Sequence, residues 1–312
     1  MKKYRSLLLK ILISGVLFYF IFSNIDVEAF LQNLSLLDKR YIPLILGLII
    51  ANYYVSSIRW KSLLIHKNSE SITVKYLTSL YFIGSFFNNF MPTSMGGDVY
   101  KIFALGKKIN SKADAFAATF MERFTGMIAL ILISYFGLIK TLDFWLAQLP
   151  HYITGNDVML WIFKFLLFFG FWIGTVVALY SMKFLSKKIK LVEKLYNSFS
   201  EYKGKYPVLF WAILTSFAVQ IFSILSQYFI FSALGISVPF SHAMFVLPVI
   251  TLAGFFVPSL NGLGVQDALY IQFFGLVGVS SELALSASVL YHLARLSVSL
   301  IGGVLYALEK DK

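Results

Sequence analysis

The chain has no cysteine, which excludes a disulfide framework, a thiolate metal site and a cysteine nucleophile. Charge is scarce too. Only 13% of its 312 residues are charged, about half of the roughly 25% usual in soluble domains. Its four histidines are scattered, and no acidic cluster has metal-ligand spacing. Walker and HExxH motifs are missing, as is any polar stretch long enough to make a second, soluble domain. These absences argue against a cytosolic fold, an ATP-driven pump acting alone and a soluble-type transferase. No cofactor or metal is expected.

What is present is apolar: 58% of the residues are hydrophobic and 18% aromatic. Six runs, 7–23, 41–59, 116–140, 158–182, 207–232 and 284–307, approach or exceed the roughly 20 residues that cross a hydrocarbon core. The first has the basic flank of a signal peptide but no small-residue cleavage site, so we read it as a retained transmembrane helix. Two further runs, 76–90 and 243–257, are followed by Pro92 and Pro258 and are too short to cross.

The net charge of +12 is distributed over short loops rather than one face or tail, so it points to membrane orientation and not to a nucleic-acid partner. Lys and Arg concentrate at the N-terminus, at Arg59, Lys61, Lys67 and Lys75, at Lys101, Lys107, Lys108 and Lys112, through 183–205, and at Lys310 and Lys312. The positive-inside rule makes these segments and both termini cytoplasmic. The loops 24–40, 140–157, 233–242 and 280–283 then lie outside. Segment 76–110 starts and ends on the cytoplasmic side and is expected to be a re-entrant hairpin. By the same count, 243–279 is its mirror image, entered from outside.

Pro92 and Pro258 are 166 residues apart, and that offset also lays 41–59 on 207–225 and 116–140 on 282–306. The expected fold is an all-α integral membrane protein, a single domain over 1–312 with half-repeats at about 1–145 and 146–312. Each half has three crossings and one re-entrant broken-helix hairpin, an inverted repeat. FNNFMPTSMGGDVY and FFVPSLNGLGVQDALY share their punctuation: a proline, a small polar stretch, two glycines (Gly96 and Gly97; Gly262 and Gly264) and an acid (Asp98; Asp267). Irregular backbone at membrane depth survives only where protein buries it or where it lines a wet cavity.

An arginine follows each acid in the next crossing, Arg123 after 25 residues and Arg295 after 28. Intramembrane charge is costly and faces a partner or an aqueous path, so Asp98 with Arg123 and Asp267 with Arg295 are the expected pairs. The plainer alternative makes Gly96, Gly97 and Asp98 a turn and a helix cap. The candidate substrate-binding set is Asn88, Asn89, Pro92, Gly96, Gly97, Asp98, Glu122, Arg123, Asn261, Gly262, Gly264, Asp267 and Arg295. Adjacent Glu122 and Arg123 leave their helix on different sides. Arg59 with Trp60 is expected to anchor a helix at the inner interface, His292 to be a bundle-interior histidine, and Gln220 and Gln227 to line the cavity or bond across helices.

The segments FNNFMPTSMGGDVYK, MERFTG and PSLNGLGVQDALY resemble the flippase-like transmembrane region of the lysylphosphatidylglycerol synthases, the multiple peptide resistance factors of bacteria, over almost the whole chain. The resemblance implies movement of an aminoacylated phospholipid between leaflets. The separate cytoplasmic domain that attaches lysine is not expected here. Asp267 stands where the family more often has glutamate, and Asn261 and Leu263 interrupt what is often a glycine run, leaving the head group open. Through family members without the synthase domain, the resemblance also implies polyprenyl-phosphate or glycolipid handling as an expectation.

The leading expectation is therefore a multi-pass cell-membrane flippase or transporter for an anionic or aminoacylated phospholipid, or for a polyprenyl-phosphate or glycolipid. A membrane-embedded head-group transferase with Asp98 or Glu122 as base is the second reading, and an accessory subunit the third. A membrane phospholipid or lipid-linked molecule is the expected partner; a separate synthase protein and a homo-oligomer are compatible with it.

Overall fold

Helices account for every regular element among the described residues, which in this computed structural model are 27–65, 70–90, 96–148, 157–186, 190–257 and 262–309. The expected first crossing, 7–23, lies outside them. Helix α1 (Val27–Ser35) and a 3-10 turn (Lys39–Tyr41) lead into α2 (Ile42–Ser62), then α3 (Val74–Phe90), α4 (Gly96–Ile109), α5 (Lys112–Lys140) and α6 (Leu142–Ala147). After these come α7 (Asp157–Leu185), α8 (Lys190–Glu201), α9 (Tyr206–Ala233), α10 (Phe240–Phe256), α11 (Val265–Gly275) and α12 (Ser281–Glu309). Short helices α1, α6 and α8 occupy stretches that the sequence reading gives to loops.

Four stretches, Lys39–Ser62, Lys112–Lys140, Tyr206–Ala233 and Ser281–Leu308, are long and apolar enough to cross a membrane. Their outer surfaces fit that solvent: Leu44, Ile50, Tyr54 and Ile58 on α2 and Phe210, Trp211 and Leu214 on α9 are exposed. The expected crossing 158–182 falls in α7, whose Trp161, Phe169, Val177 and Phe184 are exposed as well. Leaving a large apolar side chain in water forfeits about 1.5–3 kcal/mol, and contiguous exposure on this scale marks a lipid or protein contact.

Local sequence sets the helix starts. Pro43 and Pro207 stand in the first turns of α2 and α9, where a missing N–H costs nothing and the fixed φ suits a helix. The Ser111 side chain accepts from the Asp114 amide and caps α5. Gly262 and Gly264 take φ of +89° and +82°, a left-handed conformation that glycine alone adopts freely, and α11 follows directly.

Packing is organised about α2 and α9, which lie against each other. Around them, α3 packs on α12 and α10 on α5, while α4 packs on α5 and α11 on α12. Glycine permits the close contacts: a Cβ on Gly302 would strike the backbone of Phe82 and Ile83, and one on Gly137 that of Met244 and Phe245. With no hydrophobic drive between helices in lipid, small residues and cross-helix hydrogen bonds hold such bundles together. The Asn52 amide accordingly donates to the Val219 carbonyl (2.7 Å), and Gln220 to that of Gly126 (3.0 Å).

Two large apolar clusters result among the described residues, with a small third one at Leu285. One joins α2, α9, α10, α11 and α12 around Ile49, Phe231, Leu247 and Phe274. The other joins α2, α3, α4 and α5 around Trp60, Leu80, Leu105 and Met121.

Candidate functional site

A polar cavity of about 220 Å³ opens among these helices. Its wall takes Asn52 and Tyr53 from α2, Tyr81, Ser85 and Asn88 from α3, Asp98 and Lys101 from α4, and Arg123 from α5. From the second half of the chain come Ser223 and Ser226 of α9, Thr251 of α10, Gln266 of α11, and Tyr291 and Arg295 of α12. Four charged side chains in so small a space make it the chemically distinctive part of the molecule.

Asp98 stands in the first turn of α4, where the helix dipole favours an acid. Lys101 lies one turn further on the same face. The α5 stripe Ala115, Ala118, Met121, Glu122, Thr125 and Ala129 is buried, so the helical period turns Glu122 inward and its neighbour Arg123 about 100° round, toward the cavity. The expected pair forms: Arg123 Nε donates to Asp98 Oδ2 at 2.8 Å, and the Arg123 side chain keeps 39% exposure.

The pair belongs to a longer chain of charges. Lys101 Nζ lies 3.4 Å from Asp98 Oδ1 and 3.1 Å from Glu122 Oε2, with the Trp60 and Tyr81 ring centroids 4.6 Å and 3.9 Å away. Arg59 Nη2 donates to Glu122 Oε1 at 2.8 Å and its Nη1 to Ser216 Oγ at 2.9 Å. The Tyr81 hydroxyl also donates to Glu122. A buried charge holds its place only when paired and hydrogen-bonded, and both carboxylates here are shared between cations.

Arg59, at 5% exposure, and Trp60, at 0%, are thus core residues. The expected interfacial anchor is corrected: the charge of Arg59 is neutralised by Glu122, so it has no need to reach the membrane surface. Lys101, assigned to a cytoplasmic loop by charge counting, is likewise buried inside. The remaining lysines of those two segments, Lys61, Lys67, Lys75, Lys107, Lys108 and Lys112, carry the orientation argument without them.

In the second half, the expected Asp267–Arg295 pair does not form. Asp267 is fully buried, its Oδ2 accepting from the Gly264 amide (2.7 Å) and its Oδ1 from Ser288 Oγ (2.5 Å). His292 Nε2 lies 3.4 Å away. The plainer alternative holds here, since this carboxylate closes the start of α11 in the manner of a capping box. Arg295 does line the cavity, its guanidinium carbon 5.5 Å from the Tyr291 ring centroid.

The asparagines divide similarly. Asn88 lines the cavity, and its Oδ1 accepts from the Gly97 amide (2.7 Å). Asn89 donates to Ser299 on α12 (2.6 Å). Gly96 and Gly97 are buried in the first turn of α4, and a Cβ on Gly97 would strike the Gly84 carbonyl. Gly262, with Gly254, leaves room for the Gln266 amide. Gln220 and Gln227 bond across helices, the latter accepting from the Tyr270 hydroxyl (2.6 Å). Pro92 and Asn261 lie outside the described residues. Sequence reasoning missed Lys101, Arg59, Asn52 and Gln266; for Lys101 the signal was its spacing of three from Asp98.

Apolar spans around a charged cavity define a polytopic helical membrane protein. Residues 7–303 match the model of the lysylphosphatidylglycerol synthase transmembrane region, and the chain belongs to that family. It is also 24% identical to a UPF0104 membrane protein of Pyrococcus horikoshii, over 98% of this chain and 96% of that relative. No solved structure matches it.

Proposed function

We propose that the protein moves a lipid between leaflets by admitting its head group to the central cavity while the acyl chains stay in the bilayer. One observation carries the reading: polar and cationic side chains from both halves of the chain converge on one cavity, with Arg123 and Arg295 in its wall. A volume of about 220 Å³ is below the roughly 300–1,000 Å³ of pockets that enclose drug-sized ligands. It suits a head group and not a whole lipid.

The reciprocal packing, α3 on α12 and α10 on α5, supports two half-repeats exchanged by a pseudo-twofold axis. In this reading α3–α4 and α10–α11 are re-entrant hairpins entering from opposite faces, both termini are cytoplasmic, and rocking of the halves alternates access. Single cysteines at Ser71, Ser111, Ser237 and Ser281, labelled in intact cells with an impermeant thiol reagent, test the topology. The last two are expected to react and the first two to stay protected.

The same geometry tells against a head-group transferase using Asp98 or Glu122 as base. Each carboxylate is already engaged by two cationic side chains, so taking a substrate proton would break those buried ion pairs. The transport test is reconstitution into liposomes carrying fluorescent phosphatidylglycerol, followed with an impermeant quencher. Quenching beyond the outer leaflet is expected, slowed at least about tenfold by Arg123→Gln or Arg295→Gln. Folded protein that leaves the inner leaflet unquenched refutes the reading for this lipid.

A further inference from the structure

The two arginine pairs of the charge chain are not built alike. Arg59 and Glu122 keep only 6% and 3% of their side-chain exposure. Among the described residues the Arg59 guanidinium reaches one carboxylate, Glu122, and one hydroxyl, Ser216, while its Nε has no hydrogen-bond partner. Taking Glu122 away would leave a buried charge without its counter-ion, which is strongly destabilising. That pair is fixed. Asp98 and Arg123 stand differently. The Arg123 guanidinium is partly exposed in the cavity wall, and Asp98 divides its oxygens, Oδ2 on Arg123 at 2.8 Å and Oδ1 toward Lys101 Nζ at 3.4 Å. Lys101 has Glu122 at 3.1 Å and the faces of Trp60 and Tyr81 beside it. Asp98 also stands in the first turn of α4, where the helix dipole favours its charge. Were another anion to take Arg123, Asp98 would keep Lys101 and the helix terminus, and neither carboxylate would be stranded.

From this contrast we infer that Asp98 is an exchangeable counter-ion. It holds Arg123 between substrates, yields it to the phosphate of an entering head group by turning toward Lys101, and reclaims it as the head group leaves. The inference rests on the proposed head-group site and specifies how that site is controlled. A guanidinium presents a planar fork of donors that fits a carboxylate and a phosphate in the same way, so each anion can replace the other. The backbone of α4 is pinned, since a Cβ on Gly97 would strike the Gly84 carbonyl and one on Gly84 would crowd the Lys101 stem. The exchange is therefore a rotation of the Asp98 side chain. Affinity for the lipid becomes the difference between two pairings of one arginine, favourable enough for entry and weak enough for release.

Binding and transport measured side by side test this. Purified protein in neutral detergent is titrated with phosphatidylglycerol and read by native mass spectrometry, and the same lipid is followed in the liposome assay. Asp98→Asn removes the competing charge and keeps the shape of the side chain. It is expected to bind phosphatidylglycerol at least about fivefold more tightly and to transport it at least about fivefold more slowly per folded protein. A merely structural Asp98 would lower both together. Infrared difference spectra of the wild type carrying isotope-labelled aspartate need no variant to fold. Adding phosphatidylglycerol should shift an aspartate carboxylate stretch as the group leaves an arginine for a lysine, and Asp98→Asn should lack that shift. Equal or weaker binding by the variant, transport as fast as the wild type, or aspartate bands that the lipid leaves unmoved overturns the exchange, while the head-group reading stands on wild-type binding and transport. Failure of both proteins to bind the lipid removes both readings. Exchange seen in the spectra without transport in liposomes counts against transport alone.

Discussion

Asp98 and Asp267 open corresponding helices after the same punctuation of proline and glycine, yet they have different work. Asp98 lies in the cavity wall between Arg123 and Lys101. Asp267 is sealed off, holding the Gly264 amide and Ser288. A repeated backbone motif fixes where a helix begins, and the neighbours then decide whether its acid meets solvent or structure.

The contrast can be broken most severely through Glu122. Glu122→Gln leaves Arg59 charged and buried without its carboxylate, and breaking a buried pair in this way costs about 3–5 kcal/mol. Denaturation in mixed micelles should show a loss of that size or no folded protein. Asp267→Asn is next, weakening charge-assisted hydrogen bonds by roughly 1.5–3 kcal/mol. Its melting midpoint should fall while transport of fluorescent phosphatidylglycerol by the folded fraction is unchanged.

Asp98→Asn should behave in the opposite way. Arg123 is partly exposed to the cavity and Lys101 keeps Glu122, so the stability loss should be smaller than that of Asp267→Asn. Transport of fluorescent phosphatidylglycerol by the folded fraction should change at least several-fold once the carboxylate between Arg123 and Lys101 is neutral. If both asparagine variants change transport alike, the distinction between the two acids fails.

The smallest effect belongs to a carboxylate outside the spans. Burial, reinforced by Asp114 and opposed by Lys205, holds the Glu201 carboxyl above its ordinary range. The folded protein therefore takes up this proton more readily than the unfolded chain, so its destabilising charge is present above the raised value and disappears as pH falls through it. Glu201→Gln is expected to raise the melting midpoint by less than about 2 °C at pH 8 and to match the wild type once both states are protonated.

Four of the six expected spans and the short helices α3, α4, α10 and α11 were legible in the sequence because apolar length and glycine punctuation act locally. Asp98 with Arg123 was legible for a different reason: two intramembrane charges of opposite sign had few other partners. Lys101 was hidden because a basic residue near a loop reads as an orientation signal, and only the packing of α4 on α5 turns it inward. Asp267 with Arg295 failed because Ser288 and the Gly264 amide, uncharged groups without a sequence signature, satisfied the carboxylate first.

The approach of Gly97 to the Gly84 carbonyl leaves α3 and α4 almost no freedom to slide against each other. Asn88, Asp98 and Lys101 are consequently held as one unit, and the equally close approach of Gly302 to the Phe82 carbonyl ties that unit to α12. Gly97→Ala or Gly302→Ala is therefore expected to disturb the cavity wall itself, and not only the helix that carries the substitution.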